Sequence, residues 1–495
     1  MVTFVGFFVD IKTSNGCFWI TCGLGALAAS FTLFCLRTTY PPLDLWGYLA
    51  FGRLYWTGRS YPYQDVFSYV PTIKPWVYHE WLTGVVFYPI FKAAGAVGLQ
   101  TLKYCLGLGT LALAYATARK RGASQVAATL LVLITAVILG RGYAAVRAQI
   151  FTFFFFALVL YILERVRLSK RWGGLIWLPL ILVPWANCHG GFVAGLGLIV
   201  LYALGEALSG RPFWPYVLTL VFATLATLIN PYGWEYWSYL ARALTMPRPE
   251  IREWLPIWQA YQYGIYPLPS LLIFLALILF SLFVMRGKER WQPTEILVGV
   301  VTLGLSIWSV RHIPFFVLAL CALLPPALNY YEDYLRLMLK NNALFSSARR
   351  VFAGVLLFVS AVILVIFFTR APFSLIAGPY YPVGAMRYLE DNHLSGKLLV
   401  YYDWGEYVIF HLYPHFRVAF DGRYETVYPP EVCQIYWDFS FARPNWKAFL
   451  EQYPPDFILL PQNENVAKLL SREPAWRIAY SDKFCILFKP ISRKE

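Results

Sequence analysis

Long apolar segments, separated by short polar ones, dominate the first three quarters of the chain. Most are about 18 residues or longer, the length needed to cross a bilayer as a helix. The strand alternation of a membrane barrel is absent, so helices must account for them. The pattern predicts a polytopic α-helical membrane protein with about eleven transmembrane helices, at residues 17–37, 97–118, 124–141, 149–165, 173–187, 190–209, 213–230, 267–285, 292–310, 313–331 and 351–369.

One further apolar segment, residues 80–93, is short for a span, and we predict a helix on the membrane surface there. The positions of basic residues support that choice. With the N-terminus inside, the clusters at 119–121, 165–171, 211, 286–290 and 336–350 all fall on the cytoplasmic side, as the positive-inside rule requires. Counting 80–93 as a span would place those clusters outside.

The last 126 positions, residues 370–495, differ from the rest. Short β-rich runs, KLLVYY, HFRVAFD, DFILLP and FCILFKP, alternate with polar or helical stretches. We therefore divide the chain into a transmembrane domain, 1–369, with a first outer loop at 38–96, and a C-terminal extracytoplasmic α/β domain, 370–495.

Composition supports this assignment. The chain is 59% hydrophobic and 14% charged, whereas soluble domains carry about 25% charged residues. The net charge of +15 lies in short clusters between apolar segments, which argues against a nucleic-acid partner. The first apolar segment lacks a small-residue cleavage site and is expected to be retained. Cys433 and Cys485 could pair if the C-terminal domain faces an oxidising compartment.

Under this topology the remaining polar residues gather at the outer ends of the spans. Ionisable groups at membrane depth are rare and are candidates for function. The candidates are Asp44, Asp65, His79 and Glu80 in the first loop, Arg141, Arg147 and Gln149 before the fourth span, His189 before the sixth, and Arg311 and His312 before the tenth.

The acidic candidates have catalytic and structural interpretations. Asp44 could take a proton from an attacking hydroxyl, as a general base does, or cap a surface helix. Glu80 could position an acceptor, bind a metal, or favour the start of a helix by its charge. Asp65 is either a third catalytic carboxylate or a turn residue. A divalent cation between Asp44 and Glu80 is a further hypothesis, although no motif of metal-ligand spacing occurs.

The basic candidates point to an anionic substrate. Planar guanidinium groups suit bidentate binding of phosphate, so Arg141, Arg147 and Arg311 could hold a lipid-borne phosphate; alternatively they extend to lipid headgroups. His79, His189, His312 and Gln149 are candidates for the same substrate site. His189 could also be a structural hydrogen-bonding residue, because Gly190 and Gly191 after it indicate a tight reversal or a close backbone approach.

Several motifs resemble those of a known superfamily. DLWGYLAFGR, DVFSY, PWVYHEWL, WANCHGGF, INPYG, RHIPFF and YDWGEYVIF with FDGRYE are similar to those of bacterial multi-spanning proteins in the GT-C membrane glycosyltransferases, whose members include protein O-mannosyltransferases and aminoarabinose transferases. The resemblance implies transfer of a sugar from a polyprenyl-phosphate donor to an acceptor on the outer face of the cytoplasmic membrane. Asp44 matches the first-loop acidic residue by position, without the acidic pair of mannosyltransferases.

We therefore expect a glycosyltransferase that acts with inversion and uses Asp44 as base, with Glu80 and Asp65 assisting and arginines gripping the phosphate. Its partners would be a lipid-linked sugar donor, membrane lipids, and a glycan, lipid or protein acceptor. Two alternatives stay open. One is a transporter or flippase of a lipid-linked anion, and the other is a non-catalytic assembly partner.

Overall fold

The computed structural model describes residues 15–58, 61–245, 252–264, 267–286, 291–331, 345–378 and 380–491. The basic clusters predicted at 286–290 and 336–350 lie largely outside the described residues. Up to residue 378 the described chain is mostly helical. Its helices are α1 (Asn15–Cys35), α2 (Asp44–Thr57), α3 (Trp81–Lys120), α4 (Gln125–Gly140), α5 (Gln149–Ser169), α6 (Trp177–Cys188), α7 (Phe192–Leu208), α8 (Trp214–Ala226), α9 (Trp234–Thr245), α10 (Ile257–Gln262), α11 (Leu268–Met285), α12 (Pro293–Trp308), α13 (Ile313–Leu323), α14 (Pro325–Tyr331) and α15 (Phe345–Thr369).

Every apolar segment predicted to span the membrane contains a helix. Five helices are long and apolar enough to cross a bilayer, and the bent pair at 310–331 could make a sixth, so the predicted eleven are not all confirmed. The other five segments contain apolar helices of 10–17 residues. The chain is a multi-pass membrane protein.

Helix α3 has a break where the sequence predicted a boundary. Gly95 adopts φ 57° and ψ −143°, which are not helical values, and divides the 40 residues into two parts. A positive φ is readily adopted by glycine because it lacks a Cβ. The helix predicted at 80–93 is therefore distinct from the span after it, while its position on the membrane surface stays a prediction.

At the end of the bundle where α3 and α5 finish and α12 begins, arginines are buried rather than exposed in loops. Arg121 and Arg167 pair with Glu164 and Glu295, and the four side chains are 2–5% exposed. The acidic residues come from α5 and α12, so the pairs join three helices. We call these four residues the sealed network. Two residues of the predicted cytoplasmic basic clusters therefore hold helices together.

The C-terminal part is a small α/β domain. Its strands are β1 (Gly396–Val400), β2 (Phe416–Val418), β3 (Phe457–Pro461), β4 (Trp476–Ser481) and β5 (Cys485–Pro490), and its helices are α16 (Val383–Asp391), α17 (Gly405–Leu412), α18 (Tyr424–Val427), α19 (Pro430–Ser440), α20 (Ala448–Gln452) and α21 (Asn465–Leu470). The sheet order is β2-β1-β3-β5-β4, parallel around β1 and antiparallel at β5. Strand β4 was not predicted from the sequence. Cys433 and Cys485 are not joined by a disulfide.

The first loop packs on this domain. Ser68 forms a parallel bridge with Val418 on the edge strand β2. The Val418 N–H donates to the Phe67 carbonyl at 2.9 Å, and the Tyr69 N–H donates to the Val418 carbonyl at 3.1 Å. The loop thereby covers a sheet edge that would otherwise be open. One hydrophobic core contains residues of α2, the loop and the sheet, so the domain helps to fix the loop that carries Asp44 and Glu80.

Candidate functional site

Asp44 lies at the start of a helix whose first half is buried. Helix α2 begins at Asp44, as predicted, and its residues 45–52 are buried. The N-cap residue is Leu43, which supplies no side-chain capping bond. The Asp44 carboxylate instead accepts a hydrogen bond from the Arg147 guanidinium. Asp44 is therefore an ion-pair partner at one end of the bundle rather than a helix cap.

Two arginines and two acidic residues form an ion network around Asp44. Arg147 also binds Glu253 at 3.1 Å, and Arg311 binds the other oxygen of Glu253 at 2.7 Å. Although burial favours the neutral form of Glu253, Arg147 and Arg311 lower its pKa to about 2. We call Asp44, Arg147, Glu253 and Arg311 the open network, because these four side chains are 23–35% exposed.

Turns between helices bring these residues together. Arg147 precedes α5, Arg311 lies in the short 3₁₀ turn between α12 and α13, and Glu253 lies in another 3₁₀ turn. The last two turns are joined by hydrogen bonds, since the Ser309 hydroxyl donates to the Glu253 carbonyl at 3.3 Å and the Val310 N–H donates to the Leu255 carbonyl at 3.3 Å. These bonds hold together the two turns that carry Arg311 and Glu253.

His189 lies beside the open network as a neutral ring. Its Nδ1 accepts the Gly191 N–H at 2.9 Å, so the ring proton belongs on Nε2. Burial, and then the nearby Arg311 guanidinium, lower the pKa of His189 well below its usual value. The Nε2–H faces Glu80 Oε1 at 3.4 Å. A Cβ on Gly191 would lie 2.7 Å from His189 Nδ1, which confirms the close backbone approach predicted from the paired glycines.

Glu80 is the most perturbed acidic candidate of the first loop. Burial raises its pKa from 4.5 to about 7, against an opposing hydrogen bond from the Tyr48 hydroxyl. That hydroxyl donates to Oε2 at 2.8 Å. Glu80 can therefore hold or release a proton near neutral pH, as general acids and bases do.

Four other predicted candidates lie at the same end of the bundle with different contacts. Arg141 is exposed and donates to the Ser270 hydroxyl at 2.9 Å. His79 Nε2 lies 3.7 Å from Glu80. Gln149 begins α5, and its side-chain oxygen is buried without a hydrogen-bond partner among the described residues. His312 Nδ1 lies 3.3 Å from the Leu305 carbonyl.

Asp65 belongs to a different cluster. It accepts a hydrogen bond from Arg423 at 2.6 Å and one from the Ser68 N–H at 2.9 Å. Arg423 also binds Asp421 at 2.7 Å. The Asp65 side chain is completely buried, so its contacts join the first loop to the α/β domain. The turn interpretation fits Asp65 better than the catalytic one.

The hypothesis of a divalent cation finds no three-ligand site. Among the described residues, no group of three or more His, Cys, Asp or Glu side chains is arranged to hold a metal ion. The Asp44 carboxylate is bound by Arg147, and one oxygen of Glu80 is bound by Tyr48. These contacts do not fit the cation hypothesis, and no chemical step is assigned to a metal.

One residue of the open network and two residues close to it in sequence have buried polar atoms without a partner among the described residues. The Arg147 Nε and the Trp46 Nε1 are buried without a hydrogen-bond partner in the described part of the chain, as is the Gln149 amide oxygen. Such atoms are costly unless another group satisfies them. A cavity of about 350 Å³ lies between the first loop and the sheet, where it is lined by Ser68, Tyr69, Gly396, Lys397, Pro414, His415 and Arg417.

Sequence reasoning left two acidic residues out of the site. Glu253 bridges both arginines, and Glu406 of the α/β domain reaches the first turn of α2. One feature of the sequence could have identified Glu253 as a site residue, because it lies in an aromatic stretch at the same predicted end of the spans. Glu406 had no signal that pointed to α2, because its partner there, Gly47, is 359 positions away.

Comparisons with known proteins give a likeness in fold. No family model matches the chain, and no curated protein matches it. Among solved structures, the oligosaccharyltransferase of Archaeoglobus fulgidus, crystallised with a tethered acceptor peptide containing the NVT sequon, matches with a TM-score of 0.57 and 13% identity. The match covers 89% of this chain and 69% of that one. The chain therefore has a fold similar to that of an archaeal oligosaccharyltransferase, which is a GT-C-type enzyme.

Proposed function

We propose that the protein is a GT-C-type membrane glycosyltransferase. It would transfer a sugar from a polyprenyl-phosphate donor to an acceptor hydroxyl on the outer face of the cytoplasmic membrane. The observation that carries the proposal is the direct contact between Asp44 and Arg147, which brings a carboxylate of the first loop against a guanidinium that precedes α5. The fold likeness to an oligosaccharyltransferase supports the same class of reaction.

The open network suits a phosphate-bearing donor. Arg147 and Arg311 share Glu253, and the pair is partly exposed. Guanidinium groups bind phosphate oxygens in bidentate fashion, so an incoming phosphate can replace carboxylate contacts of Arg147. Replacement would also release Asp44 from its ion pair, and donor binding would thereby prepare the base.

The reaction needs one proton acceptor and one stabilised leaving group. The acceptor oxygen attacks C1 of the sugar from the face opposite the phosphate, and the new C1–O bond forms as the C1–O bond to phosphate breaks. Asp44 takes the acceptor proton, a role worth about 10²- to 10⁴-fold in rate. The polyprenyl phosphate departs with the bonding electrons, and Arg147 and Arg311 stabilise its charge. The configuration at C1 is inverted.

Glu80 and His189 would assist rather than start the reaction. The His189 Nε2–H lies close to one oxygen of the Glu80 carboxylate, and the Tyr48 hydroxyl donates to the other. With a pKa of about 7, Glu80 can orient the acceptor in its protonated form or share its proton. The Gln149 amide oxygen, which has no partner among the residues that the structure describes, would accept a hydrogen bond from bound substrate.

The proposal includes a topology. All eleven apolar segments would cross the membrane, some as short or bent helices, with the N-terminus inside. The α/β domain and the open network would then face the periplasm or the extracellular space. The acceptor would be a glycan, lipid or protein at that surface, and membrane lipids would deliver the donor.

A transfer assay with purified protein tests the function. Radiolabelled polyprenyl-phosphate hexoses are incubated with the protein in lipid nanodiscs, and label transfer or release of free sugar is measured. We expect Asp44→Asn to abolish the signal, while Glu235→Gln, at an exposed residue of α9, keeps it. Equal activity in wild type and Asp44→Asn would overturn the proposal. Lipid-phosphate transport in proteoliposomes that survives Asp44→Asn but needs Arg147 would identify a transporter instead.

A further inference from the structure

The α/β domain reaches into the helix that carries Asp44. The Glu406 Oε2 accepts the Gly47 N–H at 3.0 Å, and Gly47 lies in the first turn of α2. Gly47 is the fourth residue of α2, directly after the N–H groups that have no partner within their own helix, and the N-cap residue Leu43 makes no side-chain hydrogen bond there. Glu406 therefore adds a hydrogen bond to the N-terminal end of α2 from another domain. Its negative or polar oxygen also faces the positive end of the helix dipole.

Glycines on both sides leave room for this carboxyl group. A Cβ at Gly47 would lie 2.2 Å from Glu406 Oε2, and a Cβ at Gly422 would lie 2.7 Å from Glu406 Oε1. The backbone of α17 is equally close to its neighbours, since a Cβ at Gly405 would lie 2.4 Å from the Asp421 Cβ. Small residues at three positions thus permit a single side chain to sit between α2 and the domain.

Further contacts fix the same pair of elements. The Trp46 ring packs against Tyr407 and Phe410 of α17, with centroids 5.0 and 5.5 Å apart. Just before α2, the Pro41 carbonyl accepts the Tyr381 hydroxyl at 3.0 Å. The domain therefore holds the start of α2 from its backbone and from its side chains.

Glu406 forms no salt bridge with a cationic side chain in the described part of the chain. Arg423, a guanidinium of the same domain, is bound by Asp421 and Asp65. Burial, and then the charges of Asp44 and Asp421, raise the pKa of Glu406 well above its usual value. A neutral carboxyl group can still accept the Gly47 N–H through its carbonyl oxygen. The carboxamide of glutamine can do the same.

We propose that Glu406 is a positioning residue for Asp44, so that the reaction site is complete only when the α/β domain is docked on α2. This inference rests on the proposed function for its catalytic part. Asp44 is the first residue of α2, so the orientation of that helix determines where the Asp44 carboxylate lies. A misplacement of about 1 Å at a reacting group can cost about 100-fold in rate. Glu406 would act through the helix and would not touch the substrate.

Hydrogen exchange tests the positioning without any substrate. Exchange of the α2 amides is measured by mass spectrometry for wild type, Glu406→Gln, Glu406→Ala and Glu431→Ala, the last an exposed glutamate of α19. We expect Glu406→Ala to speed exchange in the first turn of α2 by about fivefold, as loss of a hydrogen bond of about 1 kcal/mol implies. Glu406→Gln and Glu431→Ala should match the wild type.

Kinetics then test the consequence for transfer. We expect Glu406→Ala to lower kcat for label transfer by about 10- to 100-fold with little change in KM for the polyprenyl-phosphate hexose, since the donor arginines are untouched. Glu406→Gln should restore kcat. Gly47→Ala attacks the same contact from the other side, and its Cβ should displace Glu406 and lower kcat similarly.

The outcomes separate this inference from the proposed function. Unchanged α2 exchange in Glu406→Ala would overturn the positioning role, whatever the activity. Equal loss of activity in the Gln and Ala variants would also overturn it, because the hydrogen bond is kept in one of them. Faster α2 exchange in a protein that transfers no sugar even as wild type would confirm that Glu406 holds α2 in place and would reject the proposed function.

Discussion

The perturbed acid Glu80 makes the stability of the protein depend on pH in a defined direction. Its pKa is about 7 when folded, against 4.5 in the unfolded chain. The folded state therefore holds a proton that the unfolded state releases between those pH values, and stability falls as pH rises through this window. Each tenfold step is worth about 1.4 kcal/mol, so the cost of Glu80 reaches about 3 kcal/mol by pH 8.

Glu80→Gln removes that cost. The amide cannot ionise, and its oxygen can still accept the Tyr48 hydroxyl that donates to Glu80 at 2.8 Å. At pH 4.5 the wild type carries a protonated Glu80, so the two proteins should differ little. At pH 8 the variant should be more stable than wild type by about 3 kcal/mol.

The assay is unfolding in mixed detergent micelles at pH 4.5, 6 and 8 for wild type, Glu80→Gln and the exposed control Glu235→Gln. The quantity compared is the difference in free energy of unfolding between each variant and wild type. For Glu80→Gln it should grow across the window, while for Glu235→Gln it should stay constant. A Glu80→Gln difference that does not change with pH would refute the view that burial keeps Glu80 neutral.

Other variants address the two ion networks and the histidine turn. Glu253→Gln should lower stability at pH 7, because a carboxylate with a pKa of about 2 contributes stability above its unfolded pKa; the deficit should shrink as pH falls from 4.5 towards 2, measured by thermal melting. Glu164→Gln, which breaks a buried ion pair, should cost about 3–5 kcal/mol in the micelle unfolding assay, against almost none for Glu235→Gln. Gly191→Ala would clash with His189 and should cost about 1–3 kcal/mol, whereas Gly197→Ala, whose added Cβ would meet open space within α7, should not lower stability in the same assay.

Apolar periodicity determined much of the fold from the sequence alone. Each of the eleven apolar segments contains a helix because runs of this kind have few alternatives to helical backbone pairing. Strand β4 was missed because the residues of Trp476–Ser481 are exposed or half-exposed, without a buried apolar run. Its pairing with β5 depends on residues that follow it in sequence, and a local pattern does not show that partner.

The site was predictable in part. The convergence of Asp44, Arg147 and Arg311 followed from topology, because charge clusters fixed which ends of the spans face the same side. The pairing of Asp65 with Arg423 did not follow from the sequence, because the two residues lie 358 positions apart. The contact between Glu406 and Gly47 was likewise beyond local reasoning, since both glycine and glutamate have ordinary local explanations.

The two ion networks use the same residue types and yet differ in what they can do. In the sealed network the arginines and glutamates are 2–5% exposed. If an arginine there bound another anion in place of its glutamate, the glutamate would remain buried without a partner, at a cost of several kcal/mol. In the open network the corresponding side chains are 23–35% exposed. Water can solvate a carboxylate that loses its arginine there, so the cost of exchange is small. Reversible binding of an anion by these arginines is therefore feasible only at the open network, which is also the end of the bundle that meets the α/β domain.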